Sequence, residues 1–485
     1  MSKVKQLLNE TFVYGISSIL GRAINFLLLP FYTRILSPED YGVLNIINTT
    51  FTIIWLLAVM ALDSAAFVYF HDKPEDRFRK SIFASWFWSQ LVVAFLFAFL
   101  LFGFSGMLSN GFFGTQDYQY EFRLISILLL VNLLPNIIWN WFRSFRKVKP
   151  TALFTLFQSL IIIGLNIWFI AGLRMGIKGF FLAQIISGFI MTGVAFFILK
   201  DWISFHFFDK VILRKMLNYS IPLVPTAIAL WGLNSAGGYF LQAYKGEKEV
   251  GLYQTGVTIA GIMTFVIGAF TQAWGPFAMS IKQEAGSKEF FAKVFILYLS
   301  IVGFLASVIA LFAPEILLII TAPEYRGANW VASILAFNTL LIGLNYVGSL
   351  GMSLVKNMRP FAKAFIIGAV LNIFLYLIGS RYLGKEGCAL ASLLTNMGIT
   401  VYIFMAAQKM TFIPYNFRKG WAIGLVCLSA SVLGKLFISL TFWYGVIIKL
   451  GLCLLILIAL LLINKSEMSD LLVRLKFKLK SLPNS

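Results

Sequence analysis

Residues Phe31 to Gly42 read FYTRILSPEDYG, and residues Phe240 to Gly251 read FLQAYKGEKEVG. Each stretch closes one long apolar run, crosses a short charged segment and opens another run at a glycine. The two glycines stand 209 positions apart. A corner written twice is the mark of a duplicated chain, and two further anchors support the duplication. Pro150 and Pro360 are 210 apart, and GIKGFFLA from Gly176 matches GKEGCALA from Gly384 at 208.

The runs on either side of these corners are too apolar for a soluble protein. Of 485 residues, 59% are hydrophobic and only 12% charged, far from a globular composition. Runs such as GVIIKLGLCLLILIALLLI are long enough, as helix, to cross a hydrocarbon core of about 30 Å. A backbone in lipid must satisfy its own hydrogen bonds, and no alternating barrel pattern occurs, so the spans are helices. Marking the runs gives an all-α polytopic membrane protein of about fourteen transmembrane helices between residues 11 and 463. The start, MSKVKQLLNE, leads into a run that Arg22 interrupts and that lacks a small-x-small cleavage site, so it reads as a retained first helix.

Charge fixes the topology. With the N-terminus inside, the cytoplasmic connections hold 28 Lys and Arg and the outer ones 9, which is the positive-inside rule with both termini cytoplasmic. The same bias accounts for most of the formal net charge of +20 and removes the motive for a nucleic-acid partner. The tail LLVRLKFKLK reads as an amphipathic basic segment on the anionic inner leaflet. Cys388, Cys427 and Cys453 lie inside apolar runs and read as packing residues.

Six helices per copy is an even number, so both copies enter the membrane in the same direction and are related by a pseudo-two-fold axis along the membrane normal. The expected domains are an N-lobe over 1–200, a C-lobe over 210–410, two C-terminal helices over 415–465 and a basic tail over 466–485. Two such lobes around a cavity are the plan of an alternating-access transporter.

The offset also sorts the polar residues inside spans. Asn25 pairs with Asn234, Asn45 with Gln254 and Asp63 with Gln272, each 209 apart. Asn45, Asn48, Thr52 and Asp63 share one face of a continuous second helix, because 18 residues make about five turns. Such residues either join helices or line a shared polar cavity. Arg22 and Asp63 are charges deep in spans, and they either pair with each other or serve a ligand, with Arg22 offering its planar fork to a phosphate. Lys435 and Lys449, outside the repeat, read as snorkelling. Pro135 and Pro276 sit inside spans, where each kinks its helix and frees carbonyls, statically or as a hinge.

No phosphate-binding Walker loop occurs, and the two histidines, His71 and His206, have no companions that would make a metal site. The outer loops are short and carry no acid and base pair. Neither enzyme activity nor a cofactor is expected.

GISSILGRAINFLLLPFYTRILSPEDYGVLNII, LDSAAFVYF, QAWGPF and GIKGFFLAQIIS together resemble the polysaccharide-export branch of the MOP superfamily, the Wzx-type oligosaccharide flippases, over about the first 410 residues. The resemblance implies a flippase that moves polyprenyl-diphosphate-linked oligosaccharide across a bacterial cytoplasmic membrane for surface polysaccharide synthesis. It places Arg22 against the lipid diphosphate and puts Asn25, Asp63, Asn234 and Gln272 around the same space. Asn45, Asn48 and Gln254 follow from the repeat. Some members carry several cavity cations, whereas Arg22 is the only mid-span one in this repeat, so Arg34, Lys178 and Lys245 at the outer rim are supplementary candidates. Membrane lipids and polysaccharide polymerase or assembly proteins are the implied partners. Coupling to H+ or Na+ is open to the superfamily, and Asp63 is the one acid expected deep enough to titrate. The alternatives are a cation-coupled drug or small-molecule antiporter of the same superfamily and a lipid II flippase. A membrane glycosyltransferase and a structural scaffold are weaker readings.

Overall fold

The computed structural model describes residue 26, residues 28–435 and residues 442–465. Arg22, Asn25, most of the expected first helix and the tail 466–485 lie outside them. The described residues are helical throughout, without a strand. Ten helices are long and apolar enough to cross a membrane, or eleven if the bent pair Glu247–Ala260 and Met263–Ser280 is one span. The 52-residue helix Arg359–Met410 is in fact two. Gly384, at φ 61° and ψ −136°, breaks it, and the backbones of Gly379 and Gly387 touch, so the chain doubles back as a hairpin. With Phe417–Lys435, and with residues 28–35 as the described end of the expected first helix, this agrees with about fourteen. Several helices begin a turn before the apolar run does: Asp76–Gly103 starts in charged sequence. Hydropathy marks the hydrocarbon, whereas helical hydrogen bonding continues into the interface.

The duplication is visible in the backbone. Gly176 and Gly384 both adopt positive φ, at 55° and 61°, as do Arg146 and Lys356 at 53° and 56°. Equivalent corners therefore turn in the same way. The helices pack as two compact units, one of residues up to Gln254 with Ala369–Cys388, the other of Thr255–Gly368 with the residues from Ala389 on. Packing thus divides the chain differently from the repeat. The helices Val224–Ser235 and Gly237–Lys245, the start of Glu247–Ala260 and the hairpin around Gly384 all pack with the first copy.

In the first unit, Pro135 interrupts the fourth span. Proline has no N–H to give the carbonyl four residues back, and the helix breaks at Asn132. The carbonyl left over, that of Val131, accepts the Thr192 hydroxyl at 2.6 Å. Pro314 in the second unit repeats the device, since the Ala310 carbonyl accepts from Ser333 at 3.1 Å. In both places the freed carbonyl is satisfied by a hydroxyl of a neighbouring helix. The cysteines are buried as expected, at 0% exposure for Cys388, 1% for Cys427 and 9% for Cys453.

The snorkelling reading fails at Lys449. Its side chain is 1% exposed and forms an ion pair with Glu315, on the helix Ser287–Ile320 of the same unit. A lysine in the middle of Phe442–Ile463 is too far from either end to reach water, so burial demands a partner. Glu315 also shows that Asp63 is not the only acid held within a span. Removing one member of a buried pair strands the other charge, at a cost of about 3–5 kcal/mol, whereas replacing both by apolar groups is close to neutral. Lys449→Met is therefore expected to lower the melting temperature of the purified protein sharply, and Lys449→Met with Glu315→Leu to restore most of it. Equal melting temperatures for wild type and single variant would show that the pair carries no load.

Candidate functional site

The two corners that open the sequence cross each other in the first unit. A Cβ on Gly42 would collide with the carbonyl oxygen of Glu247, and a Cβ on Gly251 with that of Pro38. Pro38 and Glu247 are themselves 209 apart, so the contact is symmetric about the duplication. Only glycine permits backbones to approach this closely. The first turn of each helix thus lies against the first turn of its own copy.

Local chemistry holds the ends in place. Ser37 caps Pro38–Val59 with a capping box: its hydroxyl accepts from the Asp40 N–H, and the Asp40 carboxylate accepts from the Ser37 N–H. Glu39 and Asp40 on one side, Glu247 and Glu249 on the other, offset the positive ends of the two helices. The Gln242 amide donates to Glu247 at 2.7 Å and to the Phe112 carbonyl at 3.1 Å. Lys385 pairs with Glu249 at 2.9 Å, half-sheltered, whereas the Lys248 to Glu39 pair at 3.6 Å is exposed and contributes little. The loop helix Ser105–Phe113 closes over the corner, with Phe112 stacked on Tyr239 at 5.3 Å. Burial, then the charges of Asp40, Glu247, Asp117 and Glu121, holds the Tyr118 hydroxyl above its ordinary pKa, so acids from both copies gather there.

Below the crossing, Pro38–Val59 presents a polar face to the Val224–Ser235 and Gly237–Lys245 helices. The Thr50 and Tyr239 hydroxyls hydrogen-bond at 2.9 Å, and the Trp231 indole donates to Thr52 at 3.2 Å. Asn45 sits against Gly238. Asn45 and Asn48 are half-buried and make no side-chain hydrogen bond among the described residues. Asn234 is exposed and donates back to the carbonyl of Leu230 at 2.7 Å. Its helix ends at Ser235, where the Leu233 carbonyl is held by Tyr376 at 3.1 Å.

The second helix is not continuous. Met60 and Ala61 are both left-handed, at φ 51° and 54°, and a new helix starts at Leu62. The five-turn spacing that put Asp63 on the face of Asn45 therefore does not carry across the break. Two successive non-glycine residues in this conformation cost roughly 1–2 kcal/mol each. Asp63 stands in the first turn of Leu62–Phe70, a helix without a side-chain N-cap, where its negative charge faces the positive helix end. Asp63 is half-buried and makes no ion pair among the described residues. Its counterpart Gln272 belongs to the second unit, four residues before Pro276. No hydroxyl among the described residues takes the Gln272 carbonyl, in contrast to those of Val131 and Ala310. Position 63 thus follows a helix break, whereas Gln272 lies inside the continuous helix Met263–Ser280.

The rim residues Arg34, Lys178 and Lys245 are exposed, with Lys178 5.6 Å over the Tyr120 ring and Lys245 beside Gly384. Gln254 is half-buried at the end of the first unit. The arrangement brings Asn45, Asn48 and Thr52 onto one face of Pro38–Val59, with Thr50 turned about 200° from Thr52. It leaves Asn234 on its own helix, and Arg22 and Asn25 lie outside the described residues. Glu121, 3% exposed in the first turn of Gln119–Val131, is a buried carboxylate that sequence reading passed over. Its only signal was an acid at the start of a span. No group of three or more His, Cys, Asp or Glu that could hold a metal occurs among the described residues.

Comparison with known proteins bears on the family and the fold. A family model described as "Polysaccharide biosynthesis protein" matches residues 7–282. Over 154 residues the chain is 23% identical to the succinoglycan biosynthesis transport protein ExoT of Rhizobium meliloti (strain 1021), a match that spans 30% of that relative's length and 30% of this chain. Among solved structures, the lipid II flippase MurJ in an inward closed conformation superposes with a TM-score of 0.72 at 16% identity, covering 96% of this chain and 100% of that one. An inward-facing multidrug resistance MATE family transporter of the MOP superfamily gives 0.61 at 17% identity, covering 80% of this chain and 94% of that one. At these identities the likeness is one of fold.

The strained break makes a direct prediction. Glycine adopts the left-handed conformation without the Cβ clash, so Ala61→Gly is expected to stabilise the protein by about 1 kcal/mol after its own entropy cost. Thermal unfolding of the purified variant checks this, and a lower melting temperature would contradict the left-handed assignment.

Proposed function

The chain belongs to the polysaccharide biosynthesis protein family, and from that premise we propose that it flips a polyprenyl-diphosphate-linked oligosaccharide from the cytoplasmic to the outer face of a bacterial cytoplasmic membrane. The family match over more than half of the chain carries the cargo class. The crossed corners carry the mechanism. The two copies, taken as lobes over 1–200 and 210–410, rock against each other, and the Gly42 and Gly251 crossing is the outer gate in its closed state. Packing of the helices Val224–Ser235 and Gly237–Lys245 and of the hairpin around Gly384 with the first copy is what a gate closed at that end requires. Opening breaks a backbone contact, the exposed Lys248 to Glu39 ion pair and the Gln242 bond to the Phe112 carbonyl, a modest set that substrate binding can offset.

A bulky anionic headgroup needs a polar path between the lobes. Asn45, Asn48 and the Thr50 and Thr52 hydroxyls supply neutral donors and acceptors along the first copy, and Arg22 supplies the cation for the diphosphate. Asp63, at a strained break, is the residue through which an H+ or Na+ gradient would act. Both termini lie in the cytoplasm, by the distribution of Lys and Arg, and the polymerase that consumes the flipped glycan is the natural partner.

Deletion of the gene in its host is expected to abolish a surface polysaccharide and to accumulate lipid-linked oligosaccharide on the cytoplasmic face. Wild type restores the glycan, whereas Arg22→Ala does not. An unchanged surface glycan would turn attention to drug efflux, and accumulation of peptidoglycan precursor to the lipid II reading. The gate has its own test. All three native cysteines are buried, so Glu39→Cys with Lys248→Cys places the only exposed thiol pair in the described residues at the corner. Oxidation is expected to stop rescue of the glycan and reduction to restore it, while continued transport by the cross-linked protein would sink the gate.

A further inference from the structure

At the end of the first unit opposite the crossed corners, four cations rest on one connected aromatic floor. The Arg79 guanidinium lies 4.5 Å from the Phe70 ring centre and 6.0 Å from that of Phe145, and the Lys147 ammonium lies 4.3 Å from Trp141 and 5.6 Å from the same Phe145. One ring therefore carries two cations. Arg143 covers Phe67 at 4.9 Å, and Lys80 covers Trp202 at 5.9 Å. The floor is continuous: Phe70 meets Phe145 at 4.8 Å, Phe145 meets Trp141 at 4.8 Å and Trp202 at 5.2 Å, and Phe67 joins Phe70 through the His71 ring, at 5.1 and 5.2 Å. It is also rigid, because Phe70, Trp141 and Phe142 belong to the buried core of this unit.

Two features separate this cluster from the ordinary excess of cations at a cytoplasmic face. First, none of the four makes an ion pair among the described residues, although Asp72 and Glu75 occupy the neighbouring loop and Asp76 opens the helix after it. A guanidinium on a ring uses its face and leaves its N–H edge for acceptors: Arg79 gives its Nε–H to the Phe70 carbonyl at 3.4 Å, which fixes it over the ring and leaves its terminal amino groups for a ligand. Second, the other copy has no such floor. At the 210 offset, Gly351, Ser353, Val355 and Asn357 stand where Trp141, Arg143, Phe145 and Lys147 do. The topological rule acts on both copies alike, so it does not explain a cluster confined to one.

Uncompensated forks and ammonium groups at interfacial depth, over an aromatic plate, match the chemistry of a lipid-borne phosphate. We infer that Arg79, Arg143 and Lys147 form a phosphate-binding site for phosphate or diphosphate esters of lipids at the cation-rich face. If the ester is the diphosphate of the transported lipid, an assignment that rests on the flippase reading, this is a loading site. It lies one helical turn beyond Asp63 along Leu62–Phe70, where Phe67 follows Asp63 by four residues. If the ester is that of a bulk anionic phospholipid, the site anchors the first copy to the inner leaflet.

The test uses the purified full-length chain in phosphatidylcholine nanodiscs and titrates inorganic pyrophosphate and farnesyl diphosphate, read by tryptophan fluorescence. Arg79→Gln with Arg143→Gln and Lys147→Gln is expected to weaken both by at least about tenfold, the scale of a lost charge-assisted contact. Lys288→Gln with Lys356→Gln, in the second copy, is expected to leave both unchanged. Arg143→Gln alone, at an exposed position, gives an intermediate loss in a protein whose folding it does not endanger. Adding phosphatidylglycerol to the nanodiscs separates the sources: competition assigns the site to bulk phospholipid, and its absence assigns it to diphosphate. Equal binding by wild type and the Arg143→Gln variant, or no binding of either probe, would overturn the proposal. Because the readout is binding, a chain that binds but flips no glycan would fail the flippase reading alone.

Discussion

Two backbones that touch at Gly42 and Gly251 organise the first unit. The contact is possible because neither residue has a side chain, and it is symmetric because the two residues are copies of each other. From that crossing the second helix descends with its polar face towards Trp231 and Tyr239, and the loop helix Ser105–Phe113 seats over the top. The ion pairs around the crossing are secondary. A side chain at either glycine would press on a carbonyl, and no rearrangement of surface charge could compensate for that.

The same economy recurs where prolines interrupt spans. Thr192 and Ser333 take the carbonyls that Pro135 and Pro314 leave without a donor, so these kinks are closed structural features. Pro276 differs, since no hydroxyl among the described residues takes the carbonyl of Gln272, and Asp63 at the matching position follows a strained left-handed pair.

Much of this was legible in the sequence, and the rest was not for identifiable reasons. The duplication, the membrane class and the pairing of Asn45 with Gln254 and Asp63 with Gln272 follow from glycine and proline punctuation at one offset. The break at Met60 and Ala61 does not, because neither residue type signals positive φ. Lys449 and Glu315 find each other across 134 positions outside any repeat, so an isolated lysine reads as snorkelling until its partner is seen. Arg79, Arg143 and Lys147 were absorbed into a topological count, and only the rings beneath them set them apart. Arg22, the cation proposed for the diphosphate, lies outside the described residues.

The central claim is that the crossed corners separate and re-form during transport. Spin labels at Arg34→Cys and Lys245→Cys, both exposed beside the corner, report that motion by pulsed dipolar spectroscopy of the protein in nanodiscs. The account expects two distance populations, with a lipid-linked diphosphate shifting weight between them. A single distance that no substrate, analogue or ion gradient alters would contradict it.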